Sequence, residues 1–217
     1  MHRIIWFVIL FISLFLFACA PQDKPLSLPP HTAEQMKNIL VVPFDYYCPT
    51  DKDSLFYCPV SGVIPGEIEP KAKEVMDKLL IKEISQLGLR YHFLFLFQNE
   101  YELLLEEALD KAKTHADMVR FFTEKTNTHA LLYGKIFRFK ERQGSSWSIS
   151  EPASVSFVLT LYDGQTGKIL WQKVFDETQK PISENLLNLP LYGKIKWLSA
   201  EELAERGLKN ILKSFPQ

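Results

Sequence analysis

Pro152-Ala153-Ser154-Val155-Ser156-Phe157-Val158-Leu159-Thr160-Leu161-Tyr162-Asp163 alternates along its length. Ala153, Val155, Phe157, Leu159 and Leu161 fall on one side, and Ser154, Ser156, Thr160 and Tyr162 on the other, which is the period of two of a β-strand. Asp163-Gly164-Gln165-Thr166-Gly167 is a turn signal, and 168–175 is the second arm of a hairpin. Upstream, 129–140 is a further apolar strand. Residues 129–175 are therefore expected to form a three-stranded antiparallel meander. The connector 142–151 carries Gly144, Ser145, Ser146 and Trp147 and is expected as a mobile loop, with Trp147 either tucked beneath it or free as a contact residue.

Working outward, the pattern changes from strands to helices. Asn38-Ile39-Leu40-Val41-Val42-Pro43-Phe44 is a compact apolar strand stopped by proline. Pro70 suits the first turn of a helix. Ala72, Val75, Met76, Leu79, Leu80, Ile84 and Leu87 follow a 3.6-residue stripe that ends at Gly88. Residues 91–97 are apolar but for His92 and read as a strand buried on both faces. Residues 99–126 read as a helix in two pieces. Leu103, Leu104, Ala108, Leu109 and Ala112 mark the first, and Met118, Val119 and Phe122 the second, with His115 between them as a solvated surface residue. Ser199-Ala200-Glu201-Glu202 is a capping box; the helix it opens should bury Ala204, Leu208, Ile211, Leu212 and Phe215. The fold class expected is α/β (α+β), as a single domain over 38–217. It has one mixed sheet of about five strands, including the antiparallel meander 129–175, packed by helices 70–87, 99–126 and 199–214.

The chain has 217 residues, with 25 Lys+Arg against 26 Asp+Glu, 47% hydrophobic and 24% charged residues. That composition fits a globular protein and offers no basic stripe for nucleic acid. Met1-His2-Arg3 precedes an apolar run of about 14 residues, short of the roughly 20 needed to span a bilayer but long enough for the core of a signal peptide. Leu16-Phe17-Ala18-Cys19 resembles the lipobox of bacterial lipoproteins, although Phe17 fills a slot usually held by a smaller residue. The resemblance implies cleavage before Cys19 and acylation, palmitate included, of that cysteine. The other readings are an ordinary secretory signal or an uncleaved anchor. Residues 1–18 are thus expected as a lipoprotein signal peptide, and 19–37, with Pro21, Pro25, Pro29 and Pro30, as a semi-rigid tether. Ala20, rather than Asp, follows the cysteine; by resemblance to bacterial sorting rules this favours the outer membrane over the inner, with the domain facing the periplasm.

Cys48 and Cys58, ten positions apart around a polar segment, are disulfide candidates outside the cytoplasm. The bond would add about 3 kcal/mol by restricting the unfolded chain. Free thiols are the alternative. A zinc site needs about four ligands, and a redox pair is more typically spaced C-x-x-C. No metal or other cofactor is expected.

The search for catalytic motifs finds no G-x-S-x-G, H-E-x-x-H, P-loop or G-x-G-x-x-G. Gly164-Gln165-Thr166-Gly167-Lys168 sits in a hairpin, not between a strand and a helix, and reads as a turn. His31, His92, His115 and His129 are scattered. Glu106, Glu107, Glu201 and Glu202 lie on helix faces. An enzyme is not expected. The unpatterned stretch 178–197, interrupted by Pro181 and Pro190, carries Leu186, Leu187, Leu189, Leu191, Tyr192 and Trp197. A loop this long inside a compact domain is often functional. Leu186, Leu187, Leu191, Tyr192 and Trp197, together with Trp147, are the partner-binding candidates.

The order of Ile39-Leu40-Val41-Val42-Pro43-Phe44, an amphipathic helix, His129-Ala130-Leu131-Leu132-Tyr133-Gly134-Lys135-Ile136, and Leu159-Thr160-Leu161-Tyr162-Asp163 leading to Thr166-Gly167-Lys168-Ile169-Leu170-Trp171 resembles the periplasmic α/β domain of an envelope group. That group comprises the curli secretion lipoproteins, the N-terminal domain of TolB and the lipoprotein activators of penicillin-binding proteins. The resemblance covers roughly 37–177 and the last helix. It implies a protein that binds or assembles other proteins, and it carries over no catalytic residue. The two-cysteine loop replaces the group's usual Asn/Ser-rich segment after the first strand. The function expected is a lipid-anchored, non-enzymatic interaction or assembly module of a cell-envelope machine. Its partners would be the membrane, through the lipid, and an envelope protein. The alternatives are a carrier or sensor of a small apolar ligand, using a cleft between helix 70–87 and the sheet, and an enzyme whose site is invisible in sequence.

Overall fold

The computed structural model describes residues 36–46, 62–88, 90–145, 149–179 and 197–216. The signal peptide, the tether up to residue 35, Cys19, Cys48, Cys58, Trp147, Leu186, Leu187, Leu191 and Tyr192 lie outside the described residues.

The chain enters through β1 (Asn38–Val41) and the short β2 (Asp45–Tyr46), then forms α1 (Ala72–Gln86) and β3 (His92–Phe95). Two helices follow, α2 (Gln98–Lys111) and α3 (His115–Thr126). Then come β4 (Ala130–Lys140), a small pair β5 (Gln143–Gly144) and β6 (Ile149–Glu151), β7 (Ser154–Asp163), β8 (Ile169–Thr178) and α4 (Ala200–Leu212). The main sheet runs β3-β1-β4-β7-β8, with β2 beside β4. β3, β1 and β4 are parallel; β4, β7 and β8 form the expected antiparallel meander.

Helices cover both faces. Ile39, Val41, Ala130, Leu132, Val155, Phe157, Leu159 and Trp171 pack under α1 and α4. Leu40, Val42, Leu131, Tyr133 and Tyr162 pack under α2 and α3. The chain steps one way along the sheet through α1, from β1 to β3. It then returns past β1 through α2 and α3, from β3 to β4. Connections in opposite directions fall on opposite faces when crossovers are right-handed.

Two glycines permit close packing. A Cβ on Gly134 would lie 2.4 Å from the ring of Phe44, which also meets Phe157 edge-on. A Cβ on Gly207 would lie 2.6 Å from Phe175, so α4 can settle onto β8 only with glycine there.

Several expectations are corrected. β3 is an edge strand, not one buried on both faces: His92 and Leu94 are exposed, and Phe93 and Phe95 are half-buried. Its apolar run comes from facing the α1 side with two phenylalanines, stacked 6.4 Å apart. Pro70 sits in the turn ahead of α1, not in its first turn. Part of the 142–151 connector pairs as β5 and β6. β8 runs on to Thr178 because Thr178 still pairs with Ser154. His115 is half-buried, its ring 4.6 Å from that of Tyr162, rather than a solvated surface residue.

Candidate functional site

In open α/β sheets, ligands bind where adjacent parallel strands send their chains to opposite faces, outside the carboxyl ends of those strands. β1 leads to α1 and β3 leads to α2, so the crevice between the ends of β1 and β3 is that point. Val42 and Pro43 line it from the β1 side, Phe95 and Phe97 from the β3 side, and Asp77 and Ile81 from α1. Its volume is about 80 Å³, well below the roughly 300–1,000 Å³ of a small-molecule pocket. The cleft anticipated between helix 70–87 and the sheet is otherwise filled, with Ala72, Met76, Leu79, Leu80 and Ile84 all buried.

Asp77 Oδ1 accepts the Phe44 N–H at 2.7 Å and ties α1 to the turn after β1. Burial pushes its carboxyl up to about 6, against the lowering effects of that hydrogen bond and of Lys73. The lip of the crevice is apolar and in water: Phe97 is 70% exposed and Ile81 37%.

The described residues that flank the segments carrying most of the sequence-derived candidates lie at this same end, with Trp197 itself. Tyr46, the last described residue before 47–61, pairs with Ile136 of β4. Beyond that segment, the Gly66 and Glu69 N–H groups donate to the Phe137 and Phe139 carbonyls. The β5–β6 pair that flanks Trp147 follows the end of β4. Gln179 and Leu198, on either side of 180–196, are joined there: the Leu198 N–H donates to Gln179 Oε1 at 2.7 Å, and the Gln179 N–H to the Ala153 carbonyl at 3.1 Å. Trp197 is half-buried, and its carbonyl accepts from Arg142 Nη1 at 3.1 Å. Arg138 reinforces this end by donating to the Ile64 carbonyl, Ser154 and Asp176.

The chain enters at the opposite end, at Met36. A polar depression of about 570 Å³ lies there, lined by Met36, Arg120, Thr123, His129, Asp163 and Gln165 among others. Its groups serve the fold. Asp163 Oδ1 accepts from the N–H and hydroxyl of Thr166, Arg120 donates to the Gln165 carbonyl at 3.2 Å, and His129 Nδ1 accepts the Asn38 N–H at 3.3 Å. Among the described residues no group of His, Cys, Asp and Glu could hold a metal ion. No described helix is long and apolar enough to cross a membrane. Two of the helix carboxylates have local roles: Glu107 meets Lys111 and Lys125, and Glu202 caps α4.

Sequence reasoning missed Phe97 and Ile81. Phe97 was absorbed into the apolar run 91–97, and Ile81 falls off the stripe of the helix 70–87, a position that does not by itself mark a contact residue.

No family model matches the chain, and no curated protein matches it in sequence. Solved structures do. A PelC dodecamer from Paraburkholderia phytofirmans is 13% identical, with a TM-score of 0.49 over 87% of this chain and 91% of that one. Lipoprotein GNA1162 from Neisseria meningitidis is 18% identical, with a TM-score of 0.39 over 73% and 97%. The C-terminal domain of LpoB from Escherichia coli is 13% identical, with a TM-score of 0.34 over 72% and 99%. The likeness is one of fold alone.

Proposed function

We propose that this chain is a lipid-anchored, non-enzymatic interaction module of the bacterial cell envelope. It is held at the outer membrane through Cys19, faces the periplasm, and binds another envelope protein. The observation that carries this reading is the crevice at the ends of β1 and β3. It occupies the position where such a sheet would hold a small ligand, yet it is nearly filled, and its lip presents Phe97 and Ile81 to water. Exposed apolar side chains around a closed crevice suit contact with a macromolecule, where buried aromatic anchors dominate binding.

The division of the molecule into two ends supports the same reading. The chain that leads back to Cys19 enters at the Met36 end. The described residues on either side of the segments carrying Leu186, Leu187, Leu191, Tyr192 and Trp147, and of the one carrying Cys48 and Cys58, lie at the other end. A chain that enters at one pole and a crevice that opens at the other would keep the binding surface clear of the membrane.

The test has two parts. Intact mass of the protein from its native membrane should show an acylated Cys19 that a Cys19→Ser variant lacks. Photo-crosslinking residues at Phe97 and Tyr192 should capture one envelope protein, whereas one at Gln165, at the Met36 end, should not. An unmodified N-terminus removes the anchor. Capture from Gln165 equal to that from Phe97, or none from either candidate position, removes the binding surface.

A further inference from the structure

α2 is helical over 14 residues yet buries only Tyr101 and Ala108. Its outer face holds two leucines in water, Leu103 at 69% and Leu109 at 55% exposure. Between them on the helix surface run Glu102, Glu106 and Asp110, an i, i+4, i+8 ridge about 12 Å long at 1.5 Å per residue. All three are exposed. The helix has five carboxylates and one lysine, a net charge of −4, in a chain whose total is −1.

The inner carboxylates have partners: Glu100 accepts the Phe97 N–H, and Glu107 meets Lys111 and Lys125. The ridge differs. Glu102 accepts from the neutral Gln98 amide, and none of the three forms an ion pair with another described residue. α3 lies on the Glu107–Lys111 border of α2, with Lys125 and Phe121 against it. Leu109 therefore lies on the other border, toward the sheet edge, where Leu94 of β3 is 44% exposed.

We propose that this face docks a cationic amphipathic helix of a partner protein. Leucines flanking an acidic ridge match a helix that sets a lysine or arginine row against the ridge and an apolar side chain on either flank. The i±4 rows of two helices interdigitate in the commonest packing class. Charge selects this occupant over the alternatives. A second copy stacked through the same face would set one acidic ridge against another, and an anionic lipid surface would be repelled. The proposal rests on the chain being a binding module, but it depends on neither Cys19 nor the segment 180–196.

The experiment uses the full chain in neutral phosphatidylcholine nanodiscs, with empty nanodiscs as the control. The probe is a fluorescein-labelled amphipathic helix of about 18 residues built from leucine and lysine, long enough to stay helical alone. A leucine–glutamate peptide of the same pattern is its counterpart. The leucine–lysine peptide should bind. The double variants Leu103→Ser/Leu109→Ser and Glu106→Gln/Asp110→Asn, each verified as folded by circular dichroism, should each weaken binding by about tenfold or more. The glutamate peptide should bind at least about tenfold more weakly than the lysine peptide. Binding that ignores the leucine substitutions would be a bare charge effect and overturns the proposal, as does equal binding of the two peptides. Self-association in sedimentation velocity that the leucine variant abolishes would assign the face to a second copy instead. Acylation at Cys19 can fail without touching any of these results.

Discussion

Asp77 shows how one side chain couples packing to pH. It lies on α1 between Met76 and Lys78, one position off the apolar stripe, and it accepts the Phe44 N–H at the floor of the crevice. Its carboxyl is raised to about 6 from 3.8, chiefly by burial. The folded state therefore holds this proton more tightly than the unfolded chain. Stability contributed by the neutral form is fully present below about pH 4 and is lost as pH rises through about 6. Asp77→Asn keeps an oxygen for the Phe44 N–H and removes the charge. We expect the variant to be more stable than the parent by about 1–2 kcal/mol at pH 8, after allowing for the part of the group that stays in water. The difference should vanish near pH 4. Urea midpoints at both pH values measure it, and an equal difference at both would show that ionisation is not the cause. Nothing in the residue pattern marks Asp77 as special; its shift comes from burial in the tertiary fold, which outweighs the lowering effect of a backbone N–H 33 positions away.

At the scale of elements, helix ends were the most legible. Ser199 accepts the Glu202 N–H and Glu202 accepts the Ser199 N–H, as the capping box implies. The structure adds a second carboxylate, Glu141, whose Oε2 accepts the Ala200 N–H at 3.0 Å from the end of β4. Ser199→Ala should cost about 1 kcal/mol, read as a lowered urea midpoint with an unchanged slope. A loss below about 0.3 kcal/mol would mean that Glu141 alone caps the helix. The division of 99–126 into α2 and α3 was also local, because Thr114 and Asp117 form their own capping box. β3 was misjudged for the opposite reason. An edge strand and a central strand can share one apolar run, and the difference lies in which neighbours the sheet supplies.

At the scale of the whole molecule, a few long-range bonds hold the far end of the sheet together. Gln179 is 4% exposed, and its Oε1 is the partner of the Leu198 N–H, so it joins the end of β8 to the start of α4. Gln179→Ala leaves that buried N–H without its acceptor and should cost about 1–3 kcal/mol. Hydrogen exchange at Leu198 should rise more than at Leu131 in the core; unchanged exchange there would mean the bond contributes nothing. The amino-acid order by itself determined the elements: the alternation of 153–162, the stripe of 72–87, the Asp163–Gly167 turn and the caps at Thr114 and Ser199. Each rests on interactions within a few residues, which travel with the sequence. It also determined the lipobox-like Leu16-Phe17-Ala18-Cys19. Only the tertiary structure decided that β3 is an edge, that the crevice beside Asp77 is nearly closed, and that Phe97, Leu103 and Leu109 remain in water. It also brought Gln179 to Leu198 and set Met36 at the pole opposite them. These outcomes depend on strand order and on which helix covers which face. The free energy that selects them comes from contacts between residues far apart in the chain, which no local pattern records.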